Sequence, residues 1–349
     1  MTRAKPTSRR TVAAALLLVA AATVLAAACG SDPDPSAATA TTDETAPSPT
    51  GDPDATPVAL PTAVGSLDIV GTEYEFAIEA SGADGETLDL AAGDALSAGW
   101  THVTFHNEGV EAHQVMFASL KEGVDLADLA DTAGGDSSGS AAIEFVDMLG
   151  GVSYIGPGQS IEAMVDLPAG LVLAMCYVPD AEGVAHALMG MTASLNVVEP
   201  DGETAEGATA EGAAEPAGGG AEVVLDTIEM TADGYRFPEE MPRGWYRVVN
   251  GDEVEAGAAG TGLHELALMG LDEPLDDEAL DQLLDDLATN ATPDVDLVAL
   301  GGMGALSAGF DGYLLCDLDP GPYLAVDFMP DPGEPRPHLL DGYATIFDV

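Results

Sequence analysis

From about residue 65 onward, short runs of alternating apolar and polar residues recur along the chain. Tyr74-Glu-Phe-Ala-Ile78, His102-Val-Thr-Phe105 and Ile161-Glu-Ala-Met-Val165 alternate, and Leu171-Val-Leu-Ala-Met175 is apolar throughout. Alternation at period two sends one set of side chains into a core and the other toward solvent, whereas a short unbroken apolar run suits a strand covered on both faces. Gly, Pro or Asp bounds most of these runs, as turns require. One stretch breaks the pattern. Leu280, Leu283, Leu284 and Leu287 recur at helical spacing among Asp and Glu, which predicts an amphipathic helix.

The pattern occurs twice. Gly99-Trp100 matches Gly244-Trp245, and each opens a run that ends at Asn107 or Asn250. His113 to Leu120 matches His264 to Leu271, and each is followed by an acidic stretch of helical character. Gly150-Gly151 matches Gly301-Gly302, and Val165 to Gly170 lies over Cys316 to Gly321. Pro179-Asp180 and His186 then match Pro330-Asp331 and His338, and the closing runs are Met191 to Val197 and Tyr343 to Val349. Several short strands per repeat with turn signals between them predict an all-β chain. It would hold two tandem Greek-key β-sandwich domains, 64–199 and 222–349, each with a short helical insertion.

What flanks these domains reads as targeting and tether. Arg3, Lys5, Arg9 and Arg10 precede a small-residue apolar run, so residues 1–28 are expected to be a secretory signal peptide. Leu25-Ala-Ala-Ala-Cys29 resembles a bacterial lipobox, which implies acylation of Cys29, and Ser8-Arg9-Arg10 weakly resembles a twin-arginine export signal. Residues 29–63 and 200–221 are rich in Pro, Gly, Ala, Thr and acidic residues and poor in large apolar ones. The first reads as a lipid-anchored disordered linker and the second as an interdomain linker. Against 9 Lys and Arg stand 61 Asp and Glu, a formal charge of -52, so nucleic acid is excluded as a partner. Contact with the membrane is expected through the lipid anchor only.

The candidate chemistry lies between the last two runs of the first domain. Cys176-Tyr-Val-Pro-Asp-Ala-Glu-Gly-Val-Ala-His186-Ala-Leu-Met189-Gly-Met191 places a thiol, an imidazole and two thioethers in one loop, and His113 can add a second imidazole. Two imidazoles, a thiolate and a weak axial thioether are the ligand set of a blue copper site. Met191 is the preferred axial ligand because it directly precedes the last run, and Met189 is the alternative. The competing reading is a small buried Cys amid core Met residues, or a Cys176–Cys316 disulfide. The repeat places those two cysteines at different points of the fold, which disfavours the disulfide. The second repeat keeps His264 and His338 but carries Asp327 and Tyr343 in place of Cys176 and Met191, a degenerate site. A carboxylate and two imidazoles can hold a hard or borderline divalent ion, but a decayed site in a structural domain is the preferred reading. His102 and His106, evenly spaced, belong to a solvated strand face.

Asn107-Glu-Gly109, His113, Cys176, His186 and Gly190-Met191 together resemble the cupredoxin, or type 1 blue copper, family. The resemblance covers nearly all of 64–199 and, more weakly, 222–349. The long gap between Cys176 and His186 is similar to that of copper nitrite reductases, which also hold two such domains. Their catalytic type 2 copper takes a His immediately before the Cys, and Met175 stands there; Val115 to Leu120 also lack a His. Nitrite reduction is therefore not expected, and the chain is not read as an enzyme. The resemblance implies one copper in the first domain, single-electron transfer, and a redox partner docking where His186 reaches the surface. The protein would be anchored at the outer face of the cytoplasmic membrane. A copper store or carrier and a metal-free structural or interaction module are the alternatives.

Overall fold

The alternating runs form strands, because each offers one apolar face that only a facing sheet can bury. The structure, a computed structural model, describes residues 58–127, 140–181, 183–200, 222–252, 262–331 and 336–349. The signal segment, Cys29 and nearly all of both linkers lie outside the described residues. Among the described residues no helix is long and apolar enough to cross a membrane.

In the first repeat the strands are β1 (Val58–Ala59), β2 (Gly65–Thr72), β3 (Glu75–Gly82), β4 (Thr87–Leu88), β5 (Leu96–Ser97) and β6 (Gly99–Asn107). They continue as β7 (His113–Leu120), β8 (Val146–Ile155), β9 (Ser160–Leu167), β10 (Gly170–Met175) and β11 (Thr192–Val198). The second repeat has β12 (Val223–Thr231), β13 (Gly234–Arg236), β14 (Gly244–Asn250), β15 (His264–Leu271), β16 (Leu297–Leu306), β17 (Asp311–Cys316), β18 (Pro322–Val326) and β19 (Ala344–Asp348). A single helical turn, α1 (His186–Met189), precedes β11, and helix α2 (Asp277–Ala288) follows β15.

Within each repeat the connections are of Greek-key type. β6 and β9 are neighbours in one sheet while the two strands between them, β7 and β8, pair in the other. β6 alternates strictly: Thr101, Val103, Phe105 and Asn107 point inward, while His102 and His106 face outward and meet Glu162 and Asp68. The first core gathers Leu67, Ile69, Val103, Phe105, Val115 and Phe117, and the second gathers Ile228, Tyr246, Val248, Leu266, Leu268 and Leu314. α2 forms where the Leu spacing predicts it. Asp276 caps it by accepting from the Ala279 N–H at 2.9 Å, and Leu283 is buried. In the first repeat, part of the acidic stretch expected to be helical lies outside the described residues, and Ser140–Phe145 forms a 3-10 turn.

The two repeats are not beads on a linker. One sheet runs β1-β12-β14-β17-β9-β6-β2-β3-β4, and the other runs β19-β18-β15-β16-β8-β7-β10-β11-β5, so both cross from one repeat to the other. The crossings are β9 to β17 and β8 to β16, both antiparallel. In the first Ala163 faces Leu314, and in the second Val152 faces Met303. Each pair consists of equivalent residues of the repeat, so a pseudo-twofold axis passes through both sheets. The tryptophans of the Gly-Trp pairs exchange partners across it, Trp100 packing on Tyr313 at 5.0 Å and Trp245 on His102 at 6.0 Å. Val58–Ala59, at the end of the stretch read as linker, adds a strand beside β12 of the second repeat.

The Gly pairs lie on the strands that meet at this axis. Gly150 and Gly151 take φ of 91° and 128°, and Gly301 and Gly302 take 92° and 128°. A Cβ on Gly151 would run into the Val115 carbonyl, and one on Gly302 into that of Leu266. Both conditions exclude a side chain. Replacing Gly151 or Gly302 by Ala should therefore cost about 2 kcal/mol or more. Because both sheets are continuous, either change should lower the urea midpoint of one shared transition. An unchanged midpoint, or separate transitions for the two repeats, would contradict this fold.

Candidate metal centre

Asn107 ends β6 with a buried side chain. Its Nδ2 donates to the carbonyls of Ile155 at 2.9 Å and Glu111 at 2.8 Å, and its Oδ1 accepts from the Gly109 N–H at 2.9 Å. This amide ties the turn before His113 to the end of β8, so the imidazole enters the site from a fixed strand. Asn250 does the same in the second repeat, donating to Leu306 and Gly262.

Cys176 directly follows β10, and the chain then makes a small loop pinched by the antiparallel bridge Pro179–Ala185. Asp180 closes that loop with its carboxylate on the Val184 N–H at 2.8 Å. The extra length between Cys176 and His186 is taken up there. Four backbone hydrogen bonds then shape the return. His186 N–H donates to Val178, Ala187 N–H to Cys176, Met191 N–H to His186, and Cys176 N–H to Met191. Gly190 ends α1 in the left-handed region and hands the chain to β11.

These elements bring three of the expected ligands together. Nδ1 of His113 and Nδ1 of His186 are 3.0 Å apart, Cys176 Sγ is 3.6 Å from the latter, and the three ligand atoms lie within 4.8 Å of one another. All three residues have no exposed surface. Met191 is fully buried in the same cluster as Cys176 and Val178, whereas Met189 sits half-exposed on α1. Of the two methionines, Met191 is the one that shares a buried cluster with Cys176. Cys316 is buried in the second core, and neither cysteine is paired.

Burial sets the protonation of the set without metal. It pushes the Cys176 thiol up to about 12, against the pull of the Gln114 and Val178 N–H groups. Burial, and next the neighbouring His186, bring His113 down to about 4, while Glu73 opposes them. Burial lowers His186 as well, opposed by Glu111. Both imidazoles are therefore neutral at neutral pH and offer lone pairs, and a soft cation must displace the thiol proton. Two imidazole nitrogens and one sulfur that converge, with Met191 buried in the same cluster as Cys176, fit a copper ion by donor chemistry.

One expectation is corrected. His186 does not reach the surface; its side chain is fully covered. The turn of α1 folds the ring inward, where Tyr74 stands edge-on at 5.1 Å and the Glu111 carboxylate lies 3.3 Å from Nε2. That Nε2 and Glu111 Oε2 face each other out of hydrogen-bond alignment, and each is buried without another partner. Glu111, Glu73 and Tyr74 were missed from sequence. Glu111, inside the Asn-to-His turn, is the one whose position pointed to the site.

The degenerate set also converges. Asp327 Oδ2 lies 2.8 Å from His264 Nδ1 and 2.9 Å from His338 Nδ1, and all three residues are buried. Tyr343 does not point at this centre. It stacks on His264 at 4.3 Å and places its hydroxyl 3.1 Å from Nε2.

No family model matches the chain, and no curated protein matches it either. Solved structures resemble it slightly. Reduced auracyanin from the photosynthetic bacterium Roseiflexus castenholzii is 19% identical, over 39% of this chain and 98% of that one, with a TM-score of 0.25. Auracyanin A, a "blue" copper protein from Chloroflexus aurantiacus, is 21% identical over 38% and 97%, with a TM-score of 0.24. A copper-containing nitrite reductase from Thermus scotoductus SA-01 is 14% identical over 81% and 60%, with a TM-score of 0.20. Likenesses this slight carry no argument about family or activity.

The depressed His113 makes a testable statement about the metal-free protein. Unfolded, this imidazole takes its proton near 6.5, and folded it does so only near 4. The unfolded state thus binds more protons in that window, and stability is lost as pH falls from about 6.5 toward 4. Urea midpoints of the metal-free protein should fall more steeply across this window than those of His113→Gln. Parallel profiles would contradict the assignment.

Proposed function

We propose that this protein is an extracytoplasmic, copper-binding electron carrier of cupredoxin type, with a single type 1 site in its first repeat. The observation that carries this reading is the convergence of His113, at the start of β7, Cys176, just after β10, and His186, on α1, all fully buried. Copper bound there would take up and release one electron. The chain supplies the rest. His113 and His186 present neutral imidazoles, Cys176 presents sulfur, and Met191 fills the remaining side with a polarizable thioether. Strand ends and the four backbone bonds hold these groups, so little rearrangement accompanies a change of charge. Full burial of all three donors favours an electron carrier over an open, labile copper carrier or store.

In this reading a redox partner docks near His186, over the Tyr74 and Glu111 side chains that cover it. Acylated Cys29 holds the protein at the outer face of the cytoplasmic membrane, and the linker that follows it acts as the tether. No catalytic step is assigned to the chain.

Copper-loaded protein should show intense visible absorption from the thiolate–copper bond, and Cys176→Ser should abolish it. Copper bound without that band and stripped readily by a chelator would favour the carrier. No stoichiometric copper would leave a metal-free module. Glu111→Gln removes a negative charge beside His186, which stabilises the more positive oxidised site. The midpoint potential should rise by something on the order of tens of millivolts, since the carboxylate is partly solvated. A fall, or no change, would remove Glu111 from the site.

A further inference from the structure

We propose that the second repeat is a metal site in its own right, binding a borderline divalent cation of the zinc class through His264, Asp327 and His338. This goes beyond the copper reading and does not depend on it. The three ligand atoms lie within 4.8 Å of one another, as in the first repeat, and the loop around them makes the same backbone bonds. Exchanging Cys176 for Asp327, and Met191 for Tyr343, removes both sulfur donors from the set. What remains is two imidazoles and a carboxylate, which suits zinc and its neighbours rather than a soft copper centre.

The surroundings of the imidazoles carry the argument further. His264 sits between two carboxylates, Asp327 at 2.8 Å from Nδ1 and Asp252 at 3.0 Å from Nε2. His338 has Asp327 at 2.9 Å from Nδ1, and the Asp331 carboxylate stands farther off, 3.6 Å from Nε2. A neutral imidazole has one N–H and can satisfy only one of its two carboxylates. An outer carboxylate on Nε2 is the usual support of a metal-bound histidine, because it keeps the proton there and turns the Nδ1 lone pair inward. Three lone pairs then converge, from two nitrogens and Asp327 Oδ2, and they need a positive charge between them. Asp327 Oδ1 is already taken by the Met329 N–H at 2.8 Å. The arginine ion pairs among the described residues go elsewhere: Arg236 to Glu229, Arg243 to Asp317, Arg247 to Asp311 and Arg336 to Asp341. The competing occupant is therefore a proton. The first repeat lacks such support on His113, whose Nε2 is buried without a partner.

The test uses the full chain carrying His113→Gln and Cys176→Ser, so that the first site cannot compete. Protein stripped with a chelator is titrated with Zn2+ against a chromogenic competitor. One Zn2+ per chain is expected, weakened at least about 100-fold by Asp327→Asn and about 10-fold by Asp252→Asn. No bound zinc, or binding indifferent to Asp327→Asn in a chain that circular dichroism shows to be folded, would overturn the proposal. If the Asn variant does not fold, Asp327→Cys in the same background decides. With Co2+ it should develop a thiolate-to-metal charge-transfer band, and its absence would equally overturn the site. The visible band of the first site is read separately, on the copper-loaded chain with His113 and Cys176 intact, so failure of either reading is distinguishable from failure of the other.

Discussion

Four backbone hydrogen bonds, made twice, underlie the architecture of both centres. In the first repeat they join Cys176 to Met191, Ala187 to Cys176, His186 to Val178 and Met191 to His186. In the second they join Asp327 to Tyr343, Leu339 to Asp327, His338 to Met329 and Tyr343 to His338. All are main-chain contacts, so the loop keeps its shape whatever side chains it bears. That separates scaffold from chemistry. Ligand identity can change from thiol to carboxylate without moving the positions from which ligands are offered. The buried Asn107 and Asn250 complete the frame by fixing the turns that deliver His113 and His264.

The second constraint is the shared pair of sheets. A free edge strand exposes unpaired N–H and C=O groups, and here the edges of the two repeats that face each other close on one another. The second repeat therefore braces the first as well as duplicating it. Asn290, at φ 52° just beyond α2, donates to the Asp180 carbonyl at 3.0 Å and so holds the Cys176–His186 loop from across the axis. Tyr154, packed against the cluster of Cys176 and Met191, meets the tilted ring of Phe328 at 4.7 Å, next to Asp327. Rigidity at the first centre thus draws on residues of the second repeat.

Charge is distributed to the same end. The chain carries -52 overall, yet Cys176, His113 and His186 are reached by few acidic groups, chiefly Glu111 and Glu73. The second centre gathers Asp252, Asp327 and Asp331 around two imidazoles. One scaffold thus offers an almost uncharged, sulfur-bearing set and a strongly anionic oxygen and nitrogen set. Cations of different character are suited by the two.

Several features were legible in the residues alone because local rules govern them. Alternation at period two marks β6, and helical spacing of Leu280, Leu283, Leu284 and Leu287 marks α2. The repeat, and the order of His, Cys, His and Met within it, are also properties of sequence. Tertiary structure alone decided that β8 pairs with β16 and β9 with β17, since backbone pairing is indifferent to side-chain type and leaves only the weak sign of strands buried on both faces. It also decided that His186 is covered, that Glu111 and Tyr74 cover it, and that Asp252 and Asp331 back the second pair of imidazoles. Those contacts depend on side-chain direction and on how separate loops pack. Sequence therefore determined which ligands this protein can present, and folding in three dimensions determined what surrounds each of them.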